Sequence, residues 1–111
     1  MKYLLLICRD RTIEVRPEHR MGELVDRWVG EMNGRGVLAE GHRLGSTNAA
    51  RTVRVRDDEL MVTDGPFAEA KEELAGFDVI ECKDLNEAIE VASKHPVARF
   101  GAVEVRPFWQ E

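Results

Sequence analysis

Met1-Lys2-Tyr3-Leu4-Leu5-Leu6-Ile7-Cys8 opens the chain with a run that shows no polar alternation. Runs of this kind belong to strands covered on both faces. It is read as a central strand with Tyr3, Leu5 and Ile7 on one side and Leu4, Leu6 and Cys8 on the other. The same run is apolar enough to resemble a secretory leader, but Arg9, Asp10 and Arg11 follow at once and no small-residue cleavage site comes after them. That order favours a buried strand.

Outward from this strand the pattern changes period. Over residues 17–32, Met21, Leu24, Val25, Trp28, Val29 and Met32 fall three and four apart with Glu23, Asp26, Arg27 and Glu31 between them, which defines a one-sided helix. Pro17 suits its first turn and Asn33-Gly34 its stop. Residues 37–44 supply a short strand containing His42, followed by the polar loop Gly45-Ser46-Thr47-Asn48. Thr52-Val53-Arg54-Val55-Arg56, the polar turn Asp57-Asp58 and Glu59-Leu60-Met61-Val62-Thr63 read as a hairpin. Residues 76–82 form the next strand. Asp84 opens a second helix with Glu87 three positions on, an acidic capping box, and Leu85, Ala88, Ile89 and Ala92 give its buried stripe. Pro96 ends that helix, and residues 101–108 alternate Val103 and Val105 against Ala102, Glu104 and Arg106 as a last strand.

The order strand, helix, strand, hairpin, strand, helix, strand predicts an α+β fold, a ferredoxin-like split βαβ with an inserted β-hairpin. Both right-handed crossovers place their helices on one side of the sheet. The second side still carries Leu4, Leu6 and Cys8, and Phe108 and Trp109 extend beyond the reach of two short helices. A second copy packed sheet against sheet would bury that apolar area, making the expected state a homodimer. The alternative cover is the hairpin with the 45–52 loop.

The 111 residues fit one domain, 1–111, and 43% hydrophobic with 33% charged residues is a folding composition. A net charge of −5 with Arg and Glu interleaved argues against nucleic acid as a partner. No apolar stretch approaches the roughly 20 residues that span a bilayer, so no membrane partner and a cytoplasmic location are expected. Cys8 and Cys82 are far apart and outside any Cys-x-x-Cys pair, and read as small buried strand residues rather than a zinc or redox site.

The densest group of chemically active residues is Thr63-Asp64-Gly65-Pro66-Phe67-Ala68-Glu69-Ala70-Lys71-Glu72-Glu73. Asp-Gly-Pro is turn chemistry first, with Asp64 as a local cap. The functional reading is a rigid turn that presents Asp64 beside Glu69, Lys71 and Glu72, carboxylates and an ammonium able to move a proton. Phe67 is a core plug or a stacking platform. His42 is the histidine on a strand that can face a cleft, whereas His19 falls at the solvent-prone start of the first helix and His95 at the end of the second, where a cation offsets the helix dipole. Candidate catalytic residues are therefore Asp64, His42 and Glu72. Lys71, Glu69, Phe67, Arg9 and Arg106 are candidate substrate contacts, the arginines holding an anionic group. No dinucleotide fingerprint, phosphate loop, zinc-protease motif or nucleophile elbow is present, so no cofactor and no metal are expected.

The opening residues 1–7, the hairpin return Val62-Thr63-Asp64-Gly65-Pro66-Phe67-Ala68-Glu69, the pair Lys71-Glu72, Gly76-Phe77 and the closing Gly101-Ala102-Val103-Glu104-Val105-Arg106-Pro107 resemble the DGPF-domain branch of the YCII-related family. The resemblance implies ferredoxin-like subunits that pair into a dimeric α+β barrel. It implies no settled activity: an acid–base pair of His and Asp has been suggested for some relatives, and DGPF members tend to be encoded near extracytoplasmic-function sigma factors. Asp64 carries over from the matching motif. The chain departs at Cys8-Arg9-Asp10-Arg11, where members more often carry an aromatic residue followed by Gly and acidic residues. Two functions are consistent with these residues. One is a cofactor-independent acid–base enzyme, acting by proton abstraction or elimination on a small polar organic ligand. The other is a non-catalytic ligand-binding or protein-interaction accessory associated with a sigma factor.

Overall fold

The computed structural model describes residues 1–67 and 72–110. Its elements are β1 (Lys2–Asp10), α1 (Met21–Gly34), β2 (Leu38–Arg43), β3 (Arg51–Arg56), β4 (Glu59–Asp64), β5 (Glu72–Glu81), α2 (Leu85–Ser93) and β6 (Gly101–Pro107), with single 3-10 turns at Pro17–His19, Thr47–Ala49 and Pro96–Arg99. One four-stranded antiparallel sheet has the order β2-β5-β1-β6, and β3 and β4 form a separate two-stranded sheet. This mixed α+β architecture is compatible with a ferredoxin-like fold. Its first strand is central, as the unbroken apolar run requires.

The strand register assigns the two sheet faces. Tyr3, Leu5 and Ile7 lie opposite Ile80, Asp78 and Gly76 on β5, and Leu5 and Ile7 lie opposite Val105 and Val103 on β6. This face is covered by the helices, and with Trp28, Met32, Val37, Cys82, Ala88, Val91 and Ala92 it forms the hydrophobic core. Trp28 locks the helices together, since its Nε1 donates to Val91 O at 3.1 Å.

Both helices depart from the sequence expectation at their ends and flanks. Pro17 opens a 3-10 turn, and Arg20 then takes a left-handed φ of 51°, so the α-helix starts at Met21 rather than Pro17. It continues through Asn33-Gly34 and stops at Gly36, whose φ is +70°. There Val37 N donates to Met32 O and Gly36 N to Asn33 O, both at 3.0 Å, a Schellman closure with Met32 and Val37 buried together. In α2 the buried side chains are Ala88, Val91 and Ala92, whereas Leu85 and Ile89 are about half exposed. Asp84 caps it through Glu87 N at 2.9 Å, while the Glu87 carboxylate accepts from Lys83 N at 2.9 Å.

The β3–β4 hairpin turns through Asp57 and Asp58, both at positive φ, as a two-residue turn between strands requires. Every residue of β4 is exposed. The molecule measures 48 × 44 × 18 Å, and its sheet and helix layer already fill the short dimension, since a further layer would add about 10 Å. The hairpin therefore projects sideways and does not cover the second sheet face.

Candidate functional site

The second sheet face is built by the other half of each alternation. Leu4, Leu6 and Cys8 come from β1, Phe77 and Val79 from β5, Glu40 and His42 from β2, and Ala102, Glu104 and Arg106 from β6. Two one-residue register shifts tune it, one leaving Ala75 unpaired between Gly76 and Leu74 and the other leaving Ala39 unpaired between Leu38 and Glu40. Past the first shift, Leu74 faces Cys8 and Glu72 faces Asp10. The result is a half-buried apolar floor of Leu4, Leu6, Phe77 and Val79 edged by ionisable groups.

His42 Nε2 stands 3.2 Å from Glu40 Oε2, and its ring lies 5.6 Å from that of Phe77. The carboxylate can accept from the imidazole and orient it, an arrangement suited to proton transfer. Across the floor Arg106 Nε donates to Glu104 Oε2 at 2.8 Å. Burial raises the Cys8 thiol above its ordinary value, and the charges of Glu72 and Glu104 raise it further. Cys8 therefore stays a thiol at neutral pH and is poorly suited to be a nucleophile. Asp10 is buried, and its Oδ1 accepts from Thr12 N at 2.8 Å and Thr12 Oγ1 at 2.6 Å.

The structure thus puts His42, Glu72 and Arg106 on one sheet face. Asp64 lies elsewhere, at the foot of the hairpin, its side chain 89% exposed and 3.1 Å from Arg51 Nε. Gly65 beside it has a φ of +96°, and its N and O are tied to Ala50 O and Thr52 Oγ1, each at 2.9 Å. Phe67 is 78% exposed with the Arg54 guanidinium 5.3 Å above its ring, so it is not a core plug. Arg9 is exposed and alternates away from Cys8. Glu69 and Lys71 lie outside the described residues.

His95 is a correction. It is 4% exposed and packs edge-on against Trp28 at 4.7 Å. Its Nδ1 accepts from Val97 N at 3.1 Å, and burial pushes its pKa down to about 4. It is a neutral core residue and not a cation at a helix end. His19 Nδ1 accepts from Arg16 N at 2.9 Å beside the ring of Phe100.

Asp78 escaped the sequence reading. It sits on the helix-covered face between Leu5 and Gly41, 7% exposed, and burial pushes its carboxyl up to about 6 against the opposing influence of His42. The signal was available as an acidic residue at an inward position of Gly76-Phe77-Asp78-Val79-Ile80. Two surface depressions, one over the start of α2 and one between α2 and β6, are lined by none of the candidate residues. Among the described residues no His, Cys, Asp and Glu set has the geometry of a metal site, and no helix is long and apolar enough to cross a membrane.

Comparison with known proteins adds two findings. The family model described as the YCII-related domain matches residues 1–111. An uncharacterized protein of Rhizobium meliloti (strain 1021) is 46% identical over 74 residues, covering 65% of this chain and 60% of that protein. The chain thus spans less than two thirds of that curated relative.

Proposed function

The chain belongs to the YCII-related domain family, and from that premise we propose that it is a homodimeric protein that binds a small polar organic molecule on the second sheet face. Its motif Asp64-Gly65-Pro66-Phe67 supports placing it in the DGPF-domain branch of the family. Two such faces would meet as a dimeric α+β barrel in the cytoplasm and enclose the ligand between apolar floors. His42, oriented by Glu40, and Glu72 are the proton-transfer groups, Arg106 holds an anionic substituent, and the chemistry is proton abstraction or elimination without a cofactor. The observation that supports this reading is the composition of the face, an apolar floor edged by a few ionisable groups, since ligand sites combine apolar lining with a small number of polar groups.

Two measurements test it. Sedimentation equilibrium should give twice the 12.6 kDa chain mass. Titration with a panel of small carboxylic acids, followed by backbone amide shifts, should perturb β1, β2 and β5 around His42. Shifts confined to the α2–β6 depression would move the site elsewhere and end this assignment.

A further inference from the structure

The β3–β4 hairpin has one apolar face. Val53 pairs with Val62 and Val55 with Leu60, and these four side chains are 60%, 57%, 57% and 66% exposed respectively. Arg51 and Asp64, also a cross-strand pair, share that face by alternation, whereas Thr52, Arg54, Met61 and Thr63 take the other. A two-stranded hairpin is marginal in water unless its apolar face is packed. Among the described residues nothing covers it, for all four side chains stay more than half exposed. The radius of gyration, 16.0 Å, exceeds the roughly 13 Å of a compact chain of this length.

We propose that the hairpin is an arm that seats its apolar face along the margin of the second sheet face of another copy of this chain, beside the contact between the two floors, and carries Asp64 to that copy. The inference rests on the dimeric reading above and adds the partner's contribution to the site. Three observations select a second copy. The 18 Å thickness leaves the arm beside its own sheet, so it cannot reach that face in its own molecule. The two uncovered apolar surfaces, arm and sheet floor, occur once each per chain, and a two-fold axis satisfies both reciprocally. The arm exposes roughly 400 Å² of apolar surface, and with the floor of Leu4, Leu6, Phe77 and Val79 it approaches the roughly 800 Å² per partner of a stable interface. Asp64 then joins His42 and Glu72 from the neighbouring subunit, which accounts for a motif carboxylate that in its own subunit is solvent-exposed and, among the described residues, paired with Arg51.

The test uses the full chain. A benzophenone side chain placed at position 62 is photolysed in a refolded mixture of ¹⁵N-labelled and unlabelled copies, and the cross-linked peptides are assigned by mass. Links from one isotopic copy to residues 4–8 or 74–79 of the other are expected. The double variant Val55→Asp/Leu60→Asp, which touches no core residue, should keep its circular dichroism and weaken dimerisation by about a hundredfold or more. A dimer whose links stay within one copy, or whose dissociation constant moves less than about twofold in that variant, overturns the arm and leaves the dimer standing. A monomeric wild-type chain overturns both.

Discussion

Gly41 lies directly opposite Asp78 on the helix-covered face of the sheet, and the Asp78 carboxylate occupies the space that a Cβ at position 41 would need. A glycine on the edge strand therefore makes room for a buried acid. Gly41→Ala should cost about 1–3 kcal/mol by overpacking, measured by urea denaturation, and Asp78→Ala in the same chain should recover much of it. Additive losses in the double variant would mean that the two positions do not compete for the same space.

The pH dependence of stability separates two buried groups. His95 titrates at about 4 in the fold against 6.5 ordinarily. Its contribution is complete above pH 6.5 and is lost as pH falls toward 4, where the unfolded chain takes the extra proton. Asp78 titrates at about 6 against 3.8, so its contribution is complete below pH 3.8 and is lost as pH rises to 6. Each spans on the order of 2 kcal/mol after allowance for solvent screening, and between pH 4 and 6 their slopes oppose. Asp78→Asn should be more stable than wild type at pH 7 and converge on it near pH 4. Parallel urea midpoints across that range would contradict the burial of an ionisable Asp78.

Trp28 and Val91 are joined by a buried hydrogen bond, while the polar links Arg35–Glu90 and Lys94–Glu31 between the helices are exposed. Trp28→Phe keeps an aromatic ring but removes the shorter of two bonds to Val91 O, leaving the one from Lys94 N at 3.3 Å, and shrinks the side chain. A loss of about 2–3 kcal/mol is expected, with faster amide exchange in α2. Unchanged exchange there would show that the helix is held by the sheet alone.

The Asp-Gly turn divides its work between the two residues. Asp64 is exposed and makes a surface ion pair, so Asp64→Asn should change monomer stability by less than about 0.5 kcal/mol. Gly65 holds φ +96°, and Gly65→Ala should cost about 1 kcal/mol or more. If Asp64→Asn proves the more damaging to the fold, the carboxylate is structural and its proposed part in the site is lost.

Much of the fold was legible because burial writes periodicity into sequence. The unbroken run at Leu4–Ile7 marked the central strand, and the three-four spacing from Met21 to Met32 marked α1. Helix ends were harder. Arg20 breaks the helix by a left-handed turn that no Gly or Asn announces, and the Schellman closure needs Val37 as well as Gly36. Leu85 and Ile89 carry the right spacing but stay about half exposed, which only tertiary geometry reveals. For the site, the shared face of His42 and Arg106 follows from the strand registers and from the shift at Ala39, which parity alone does not give. The standing of Asp64 depends on where a hairpin points, and composition says nothing about that. Burial of His95 follows from its contact with Trp28, a residue 67 positions away.

The unpaired Ala75 has an effect larger than its size. In β5 the even-numbered residues Gly76, Asp78 and Ile80 look inward, yet beyond the shift Glu72 and Leu74, also even, look outward. One alanine thus acts as a phase inverter, letting a single strand keep its waist oily on the helix side while handing its acidic tip to the opposite surface. Were Ala75 instead paired with Cys8 in an unbroken ladder, Glu72 would turn under the helices and Glu73 would face out in its place, so the chemistry of the sheet's rim hangs on a residue that has almost no side chain of its own.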